Sequence, residues 1–364
     1  SEFDGQARVE ITYFTSGITW AADYVCIADA AEEVMNFEGF VRVTNNSGED
    51  YEDAQVRLVV GTVNLVEKIA QLARVGMAQV DDLDGNRRRE LRREAAKMMF
   101  DAAAGAPAPA AAPMVAEEKQ IIKEGLSEYF IYTIDGTETI PSGWSKRMRS
   151  FEGQTVPFRV QYRYRPMEYG DQLVRMYLLT NDKASKLGTT PLPDGMVRVF
   201  RQNGRGGLSF LAQQATKYVP IGDKIELNLG VDPNVVFDLV QTRAFRDNIW
   251  MQVRGANVFR RVGDGNVEIE VNSSVAGWDE HAVYVQKVRN YTSKAIDLEV
   301  RRVFPGHVTF RSALQPVLHD FRTVQYAATV PAGGRADPAY EVVTAQGRNA
   351  KQNNVTLEAA EVKP

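Results

Sequence analysis

Alternation of apolar and polar residues runs through most of this chain and predicts β-strands. Runs rich in β-branched and aromatic side chains recur in the first 60 residues, with turn-forming Ser, Asn and Gly between them. The clearest of these runs are 8–14, 19–28, 39–44 and 54–60. Residues 1–60 are therefore predicted to form the first part of a β-domain.

The spacing of apolar residues changes between residues 61 and 125. Leu65, Ile69 and Leu72 recur at intervals of three and four, which is the spacing of one helix face. An Ala/Pro-rich tract at 102–113 follows, and prolines at this density favour an extended linker over a helix. We therefore predict that residues 61–125 are a helical insert with an Ala/Pro-rich linker.

Short strand-like runs, separated by turn signals, resume after the insert and continue along the rest of the chain. Many short strands at such intervals are typical of β-sandwiches and barrels. Residues 126–255 are predicted to form the second part of the β-domain, and 256–364 a C-terminal Ig-like β-sandwich. The predicted fold class is mainly β, with β-sandwich-like domains and an inserted helical segment. A chain of 364 residues is also long for one core, which favours several domains.

The composition excludes several classes of protein. The formal net charge of -4 provides no basic field of the kind that binds nucleic acid, so no nucleic-acid partner is predicted. No run approaches the ~18 apolar residues of a membrane helix, so no transmembrane segment is predicted in this chain. Cys26 is the single cysteine, which rules out an intramolecular disulfide, and its apolar neighbours indicate a core residue.

The histidines all lie in the last third of the chain. They are His281, His307 and His319, and Asp320 follows the last of them. Imidazole and carboxylate groups of this kind would suit zinc or iron. Their spacing matches no metal-binding motif, and no nucleophile elbow, P-loop or Rossmann fingerprint occurs in the sequence. These four residues are retained as metal-site candidates, while no catalytic residue and no cofactor is predicted.

The insert carries the candidate interaction residues. The stripe of Leu65, Ile69 and Leu72 needs an apolar surface to cover it, which belongs either to a protein partner or to the β-domain itself. Arg88 and Arg92 stand in a run of arginines and glutamates, which indicates either an anionic partner surface or a solvated, ion-paired helix. A protein partner is therefore predicted to bind through the insert, and homo-oligomer formation stays open.

Several short blocks form a recognisable series. In chain order they are 43–51 (VTNNSGEDY), 139–143 (TIPSG), 191–200 (PLPDGMVRVF), 225–232 (IELNLGVD) and 288–291 (VRNY). In this order they resemble the mucoidy inhibitor A-like family, whose shared domain is catalogued as domain of unknown function 4139. The resemblance spans most of the chain and implies the C-terminal, β-rich region of a longer protein. It also implies a bacterial envelope or extracellular setting, and it transfers no catalytic residue.

These observations favour a non-enzymatic β-rich scaffold or protein-interaction protein, with the bacterial cell envelope as its setting. A metal- or carboxylate-dependent hydrolase, with its site in the C-terminal third, is the first alternative. A carbohydrate-binding module is the second alternative, for which Trp144, Trp250 or Trp278 would supply an exposed aromatic platform.

Overall fold

The computed structural model of the chain describes residues 15–61, 121–126, 129–134, 136–188, 190–253, 259–261 and 273–363. Strands take up 67% of these residues, so the prediction of a mainly β fold is confirmed. The helical content of the same ranges is one short turn of helix. No helix in the described part of the chain has the length and apolar character that crossing a membrane requires.

The strands of the described ranges are numbered in chain order. The first are β1 (Ile18–Ala28), β2 (Val34–Asn45), β3 (Tyr51–Ala54), β4 (Arg57–Gly61), β5 (Ile121–Leu126), β6 (Tyr129–Ile134), β7 (Glu138–Ile140) and β8 (Trp144–Pro157). Next come β9 (Arg159–Tyr164), the helix α1 (Pro166–Tyr169), β10 (Leu173–Thr180), β11 (Gly195–Gln202), β12 (Leu208–Thr216), β13 (Lys224–Val231) and β14 (Val235–Val253). The last are β15 (Phe259–Arg261), β16 (Ser273–Asn290), β17 (Ile296–Val303), β18 (His307–Ser312), β19 (Val317–Asp320), β20 (Thr323–Val330), β21 (Arg335–Ala336), β22 (Ala339–Gly347) and β23 (Val355–Ala359).

Two compact units divide the chain, and neither is continuous in sequence. Unit 1 consists of Ser1–Pro157 and Thr180–Asp223, and unit 2 consists of Phe158–Leu179 and Lys224–Pro364. The boundary predicted at residue 255 falls outside the described residues, and the strands on either side of it, β14 and β16, pair with each other inside unit 2. Domain boundaries predicted from the sequence always separate consecutive segments of the chain. The two units observed here instead follow the pairing of strands that are distant in sequence.

Unit 1 is built on a five-stranded sheet with the order β12-β11-β1-β2-β8. β1 and β11 run parallel, and the other neighbours in this sheet run antiparallel. Gly195 of β11 lies opposite Ala22, where an added Cβ would stand 2.3 Å from the carbonyl oxygen of Ala22, so the approach of the two strands requires glycine. Two smaller sheets, β3-β7 and β4-β6-β5, complete the described part of this unit.

The end of the predicted helical insert is a strand. Residues 121–125 belong to β5, which pairs antiparallel with β6 along its whole length, so the predicted insert is too long at this end. A run of six residues is too short for periodicity to separate helix from strand, and the pairing with β6 decides it. The rest of the insert lies outside the described residues, together with its candidate interaction residues Leu65, Ile69, Leu72, Arg88 and Arg92.

Unit 2 contains two larger sheets. One has six strands in the order β13-β10-β9-β17-β20-β19, and the other has seven, in the order β15-β14-β16-β22-β18-β23 with β21 beside β16. Both sheets contribute side chains to one hydrophobic core. Within it, Phe310 and Tyr340 of the seven-stranded sheet stack with ring centroids 4.9 Å apart, and Tyr326 of the six-stranded sheet lies 6.3 and 6.1 Å from these rings.

The six-stranded sheet also carries ion pairs of buried arginines. Arg163 of β9 donates two hydrogen bonds to the carboxylate of Glu226 on β13, at 2.8 and 2.9 Å. Arg165, which directly follows β9, donates to Glu299 of β17 and to Glu168 of α1, each at 2.9 Å. The hydrogen bonds from Arg163 hold the pKa of Glu226 below its usual value, against the opposing effect of burial.

Glu226 makes the stability of the protein depend on acid pH. Its folded-state pKa lies below its unfolded-state pKa of about 4.3. Its contribution is therefore complete above about pH 4.3 and is lost as the pH falls through the lower, folded-state pKa. We expect the free energy of unfolding of Glu226→Gln, measured by urea titration, to fall less than that of wild type between about pH 5 and about pH 3. Glu33→Gln, which removes an exposed carboxylate, is the control, and an unchanged slope in Glu226→Gln contradicts the prediction.

Phe310 tests the core of unit 2. Its side chain is fully buried, so Phe310→Ala leaves a cavity among aromatic rings and is expected to lower the free energy of unfolding by about 3–5 kcal/mol. The matched control, Phe321→Ala, truncates a ring that is 55% exposed and is expected to change that free energy by less than about 0.5 kcal/mol. Equal effects of the two substitutions in urea unfolding would show that Phe310 is not a core residue.

Candidate functional site

Strand register assembles a polar surface on one face of the seven-stranded sheet. Cross-strand neighbours share a face of a sheet. The first row across β14, β16, β22 and β18 consists of Asp247, Asp279, Ala345 and His307. The next row on the same face consists of Phe245, His281, Val343 and Thr309. We call this surface the site face.

A pocket of about 480 Å³ opens on the site face. Its apolar lining comes from Trp250, Val343 and Ala345. Its polar lining consists of Asn248, Asp279, His307, Thr309, Arg348, Asn349 and Lys351. All of these residues belong to unit 2. The volume falls within the range of sites that hold one small molecule.

Asp279 is held by two amide side chains. Asn248 Nδ2 donates to one carboxylate oxygen at 2.8 Å, and Asn349 Nδ2 donates to the other at 2.8 Å. Asn349 Nδ2 also donates to the backbone oxygen of Asn248 at 3.0 Å. Neutral donors orient the carboxylate without cancelling its charge, and each of its oxygens keeps a further lone pair.

Two backbone features place these amides. Asn248 has a positive φ of 46° at the point where the register of β14 against β16 shifts, and such a bulge re-aims side chains. Gly277 leaves room for the turn that carries Asn349. An added Cβ there would lie 2.8 Å from the backbone nitrogen of Arg348 and 2.9 Å from Oδ1 of Asn349. Any side chain at position 277 would therefore displace this turn.

His307 supplies a ring donor to the pocket lining. The backbone N–H of Lys351 lies 3.2 Å from Nδ1 of His307, and an N–H can only donate, so Nδ1 accepts. The carbonyl oxygen of Asn349 lies 3.4 Å from the same nitrogen and would require the opposite tautomer. Because the contact with Lys351 is the shorter of the two, we assign the tautomer in which Nδ1 accepts and the proton of the neutral ring lies on Nε2.

His281 lies between two carboxylates on the site face. Its Nδ1 is 2.8 Å from Oε1 of Glu341, and its Nε2 is 2.9 Å from Oδ1 of Asp247. The ring is buried and stacks on Phe245 with centroids 4.3 Å apart, and Arg311 pairs with Glu341 at 3.4 Å. Because carboxylates only accept, the protonated ring donates to both, whereas a neutral ring keeps one of the two bonds.

The four metal-site candidates lie on two different sheets. His281 and His307 stand on the site face, on strands separated by β22. His319 and Asp320 belong to β19, at the edge of the six-stranded sheet. Asp320 is exposed, and the hydrogen bond from the Thr323 hydroxyl at 2.7 Å lowers the pKa of its carboxyl. Within the ranges that the structure describes, no three His, Cys, Asp or Glu side chains are grouped as metal ligands.

The three candidate tryptophans do not share one platform. Trp144 is 67% exposed at the start of β8 and belongs to unit 1. Trp250 is half-buried in the pocket lining and pairs with Gly277, so Trp278, the next residue along β16, points to the other face. Arg246 lies over the ring of Trp278 at 4.9 Å, and the indole nitrogen is shielded from solvent.

Sequence reasoning did not find the partners of these groups, Asp247, Asn248, Glu341 and Asn349. One signal was available, because Asp279 and His281 stand two residues apart in a strand-like run and therefore share a face. Their partners come from distant strands: Asp247 lies 34 residues before His281, and Glu341 lies 60 residues after it. Only the register of the sheet brings them together.

No protein-family model, no curated protein and no solved structure matches this chain. The resemblance to the mucoidy inhibitor A-like family therefore rests on the short sequence blocks alone. The function is accordingly inferred from the chemistry of the site face.

His281 is expected to stabilise the site face as the partner of two carboxylates. His281→Ala leaves Asp247 and Glu341 without their shared partner and opens a gap beside Phe245, so it should lower the free energy of unfolding by about 2–3 kcal/mol. His319→Ala, at an exposed position of the same unit, should change it by less than about 0.5 kcal/mol. Urea unfolding measures both, and a His281→Ala variant as stable as wild type would contradict the hydrogen-bonded arrangement of His281 between Asp247 and Glu341.

Proposed function

We propose that this chain is a non-enzymatic β-rich binding protein and that the pocket of unit 2 binds a carbohydrate. The observation that carries this proposal is the pocket lining, in which one tryptophan and two aliphatic side chains stand beside oriented hydrogen-bonding groups. A sugar ring has an aliphatic C–H face and a rim of hydroxyl groups. An indole covers such a face, while amide, carboxylate and imidazole groups pair with the hydroxyls.

Each part of the lining has a role in this proposal. Trp250 and Val343 supply the apolar surface for the ring face. Asp279 accepts hydrogen bonds from hydroxyl groups through the lone pairs that Asn248 and Asn349 do not use. The ring N–H of His307 donates to a hydroxyl or ring oxygen. Because the amides hold Asp279 before a ligand arrives, binding costs little ordering of this group.

The groups that would perform hydrolysis are already engaged. His281 faces a carboxylate through each ring nitrogen, so neither nitrogen is left to act on a substrate. Burial raises the pKa of the Cys26 thiol, which lies in the core of unit 1 and is a poor nucleophile there. These contacts support a binding role over a metal- or carboxylate-dependent hydrolase.

The scaffold role and the envelope setting are part of the same proposal. They are supported by the sequence resemblance. The helical insert, through Leu65, Ile69 and Leu72, is the proposed contact with a protein partner. We also infer an Ig-like β-sandwich for unit 2, which is supported by a single core that takes side chains from two sheets.

Binding to glycans tests the proposal. Wild-type protein and Trp250→Ala are applied to immobilised oligosaccharides of neutral, amino and acidic sugars. We expect wild type to bind members of this panel and Trp250→Ala to bind them at least about tenfold more weakly, because the indole covers the sugar face. The matched control, Trp144→Ala, removes an exposed tryptophan of unit 1 and should bind like wild type.

Two outcomes would contradict carbohydrate binding. Wild type that binds no sugar of the panel would remove the proposed ligand, and equal losses in both tryptophan variants would place binding elsewhere. The metal content of the purified protein addresses the hydrolase alternative. Stoichiometric zinc or iron that is lost in His307→Ala would favour that alternative over a binding protein.

A further inference from the structure

Three arginines from three strands converge on one aspartate in the five-stranded sheet of unit 1. The aspartate is Asp23 of β1, and the arginines are Arg42 of β2, Arg147 of β8 and Arg198 of β11. Arg42 and Arg147 are register partners, and Arg198 pairs with Val25, which lies two residues after Asp23. These side chains therefore lie on one face of the sheet, which we call the arginine face.

Asp23 accepts a hydrogen bond from only one of the three guanidinium groups. Arg42 Nη2 lies 3.1 Å from Asp23 Oδ2 and donates a hydrogen bond to it. Arg198 Nη1 lies 3.6 Å from Oδ1, and Arg147 Nε lies 4.0 Å from Oδ2, which are ion-pair distances too long for a hydrogen bond. Each guanidinium has five N–H donors, whereas a carboxylate has two oxygens.

The arginines are open to solvent, although the aspartate is buried. The side chain of Asp23 is 11% exposed, while those of Arg42, Arg147 and Arg198 are 44%, 42% and 36% exposed. The guanidinium of Arg147 lies 3.6 Å from the ring centroid of Phe40, a cation–π contact that fixes the plane of the fork. Donors that are exposed and held in position are what an incoming anion requires.

The charges on this face leave an excess of cations. Glu38 pairs with Val25 and lies on the same face, so two carboxylates, those of Asp23 and Glu38, oppose the three arginines. The neighbouring Arg149 is bound to Glu152 at 2.8 Å. Burial lowers the pKa of Arg147, and the charges of Arg42 and Arg198 lower it further, against the opposite effects of Asp23 and Glu38.

We propose that the arginine face binds a tetrahedral oxyanion, a phosphate or sulfate group, between Arg42, Arg147 and Arg198. A phosphate monoester has three terminal oxygens and carries about two negative charges, so it offers one acceptor to each guanidinium and offsets the excess charge. Asp23 holds the arginines together but competes with the anion as a like charge. This site belongs to unit 1 and does not depend on the carbohydrate pocket of unit 2.

Titration calorimetry with inorganic phosphate, at constant ionic strength set with sodium chloride, tests this proposal. Wild type should bind phosphate, and Arg147→Gln and Arg198→Gln should each bind it about tenfold more weakly because one charged donor is lost. The matched control is Arg159→Gln, which removes an exposed arginine of unit 2 and should bind phosphate like wild type. Equal losses in all three variants would show a general charge effect and overturn the site.

Asp23→Asn separates a binding site from a purely structural ion-pair cluster. Removing the competing negative charge should strengthen phosphate binding about threefold or more, whereas a structural cluster would show no gain. If Asp23→Asn fails to fold, Arg147→Gln and Arg198→Gln still decide the question. Phosphoserine, which carries no sugar ring that the pocket of unit 2 could bind, is the second probe. Tighter binding of phosphoserine than of inorganic phosphate would indicate that the ligand is a phosphoryl group on a larger molecule, whereas equal binding would indicate the free ion. Absence of binding for both probes would overturn the proposal.

Discussion

The antiparallel pairing of β14 with β16 is the contact on which the site face depends. It extends from Val235 opposite Asn290 to Val253 opposite Ser273. Because side chains alternate between faces, a slip of one residue would turn Asp279 and His281 towards the opposite face. The same shift would place core residues in solvent. Burial of the core therefore also fixes the position of the polar groups, although none of them contributes to that core.

Local composition was sufficient to predict a mainly β fold, because strands such as β1 and β2 carry their β-branched and aromatic residues in runs that need no distant information. It was insufficient for β5, where six residues fit either period and pairing with β6 decides. The discontinuous units could not be predicted from local composition either, because β9 pairs with β17 on one side and with β10 on the other. Such pairings connect residues that no window along the sequence contains.

The candidate residues of the site were predicted for reasons that differ from the ones the structure gives. Trp250 was a candidate for an aromatic platform and His307 for a metal site, and both line one pocket. His281 was also a metal-site candidate, and its ring nitrogens face Asp247 and Glu341. In each case the residue type indicated which interactions the side chain can make. The partners that determine which of these interactions form lie on other strands, so only the register of the sheet reveals them.

Discontinuity of the two units has a consequence for the order in which the chain is made. β9 and β10 emerge from the ribosome as a hairpin, but Glu299, which pairs with Arg165 in the connection between these strands, is made only 134 residues later. At about 5–20 residues per second, translation of that interval takes on the order of ten seconds. During this time the β9 edge of the hairpin has no neighbouring strand, and Arg165 has only the local carboxylate of Glu168 as a counter-ion. The β9 edge is therefore open to wrong strand pairing in this interval, and slowing of translation there would lengthen the exposure.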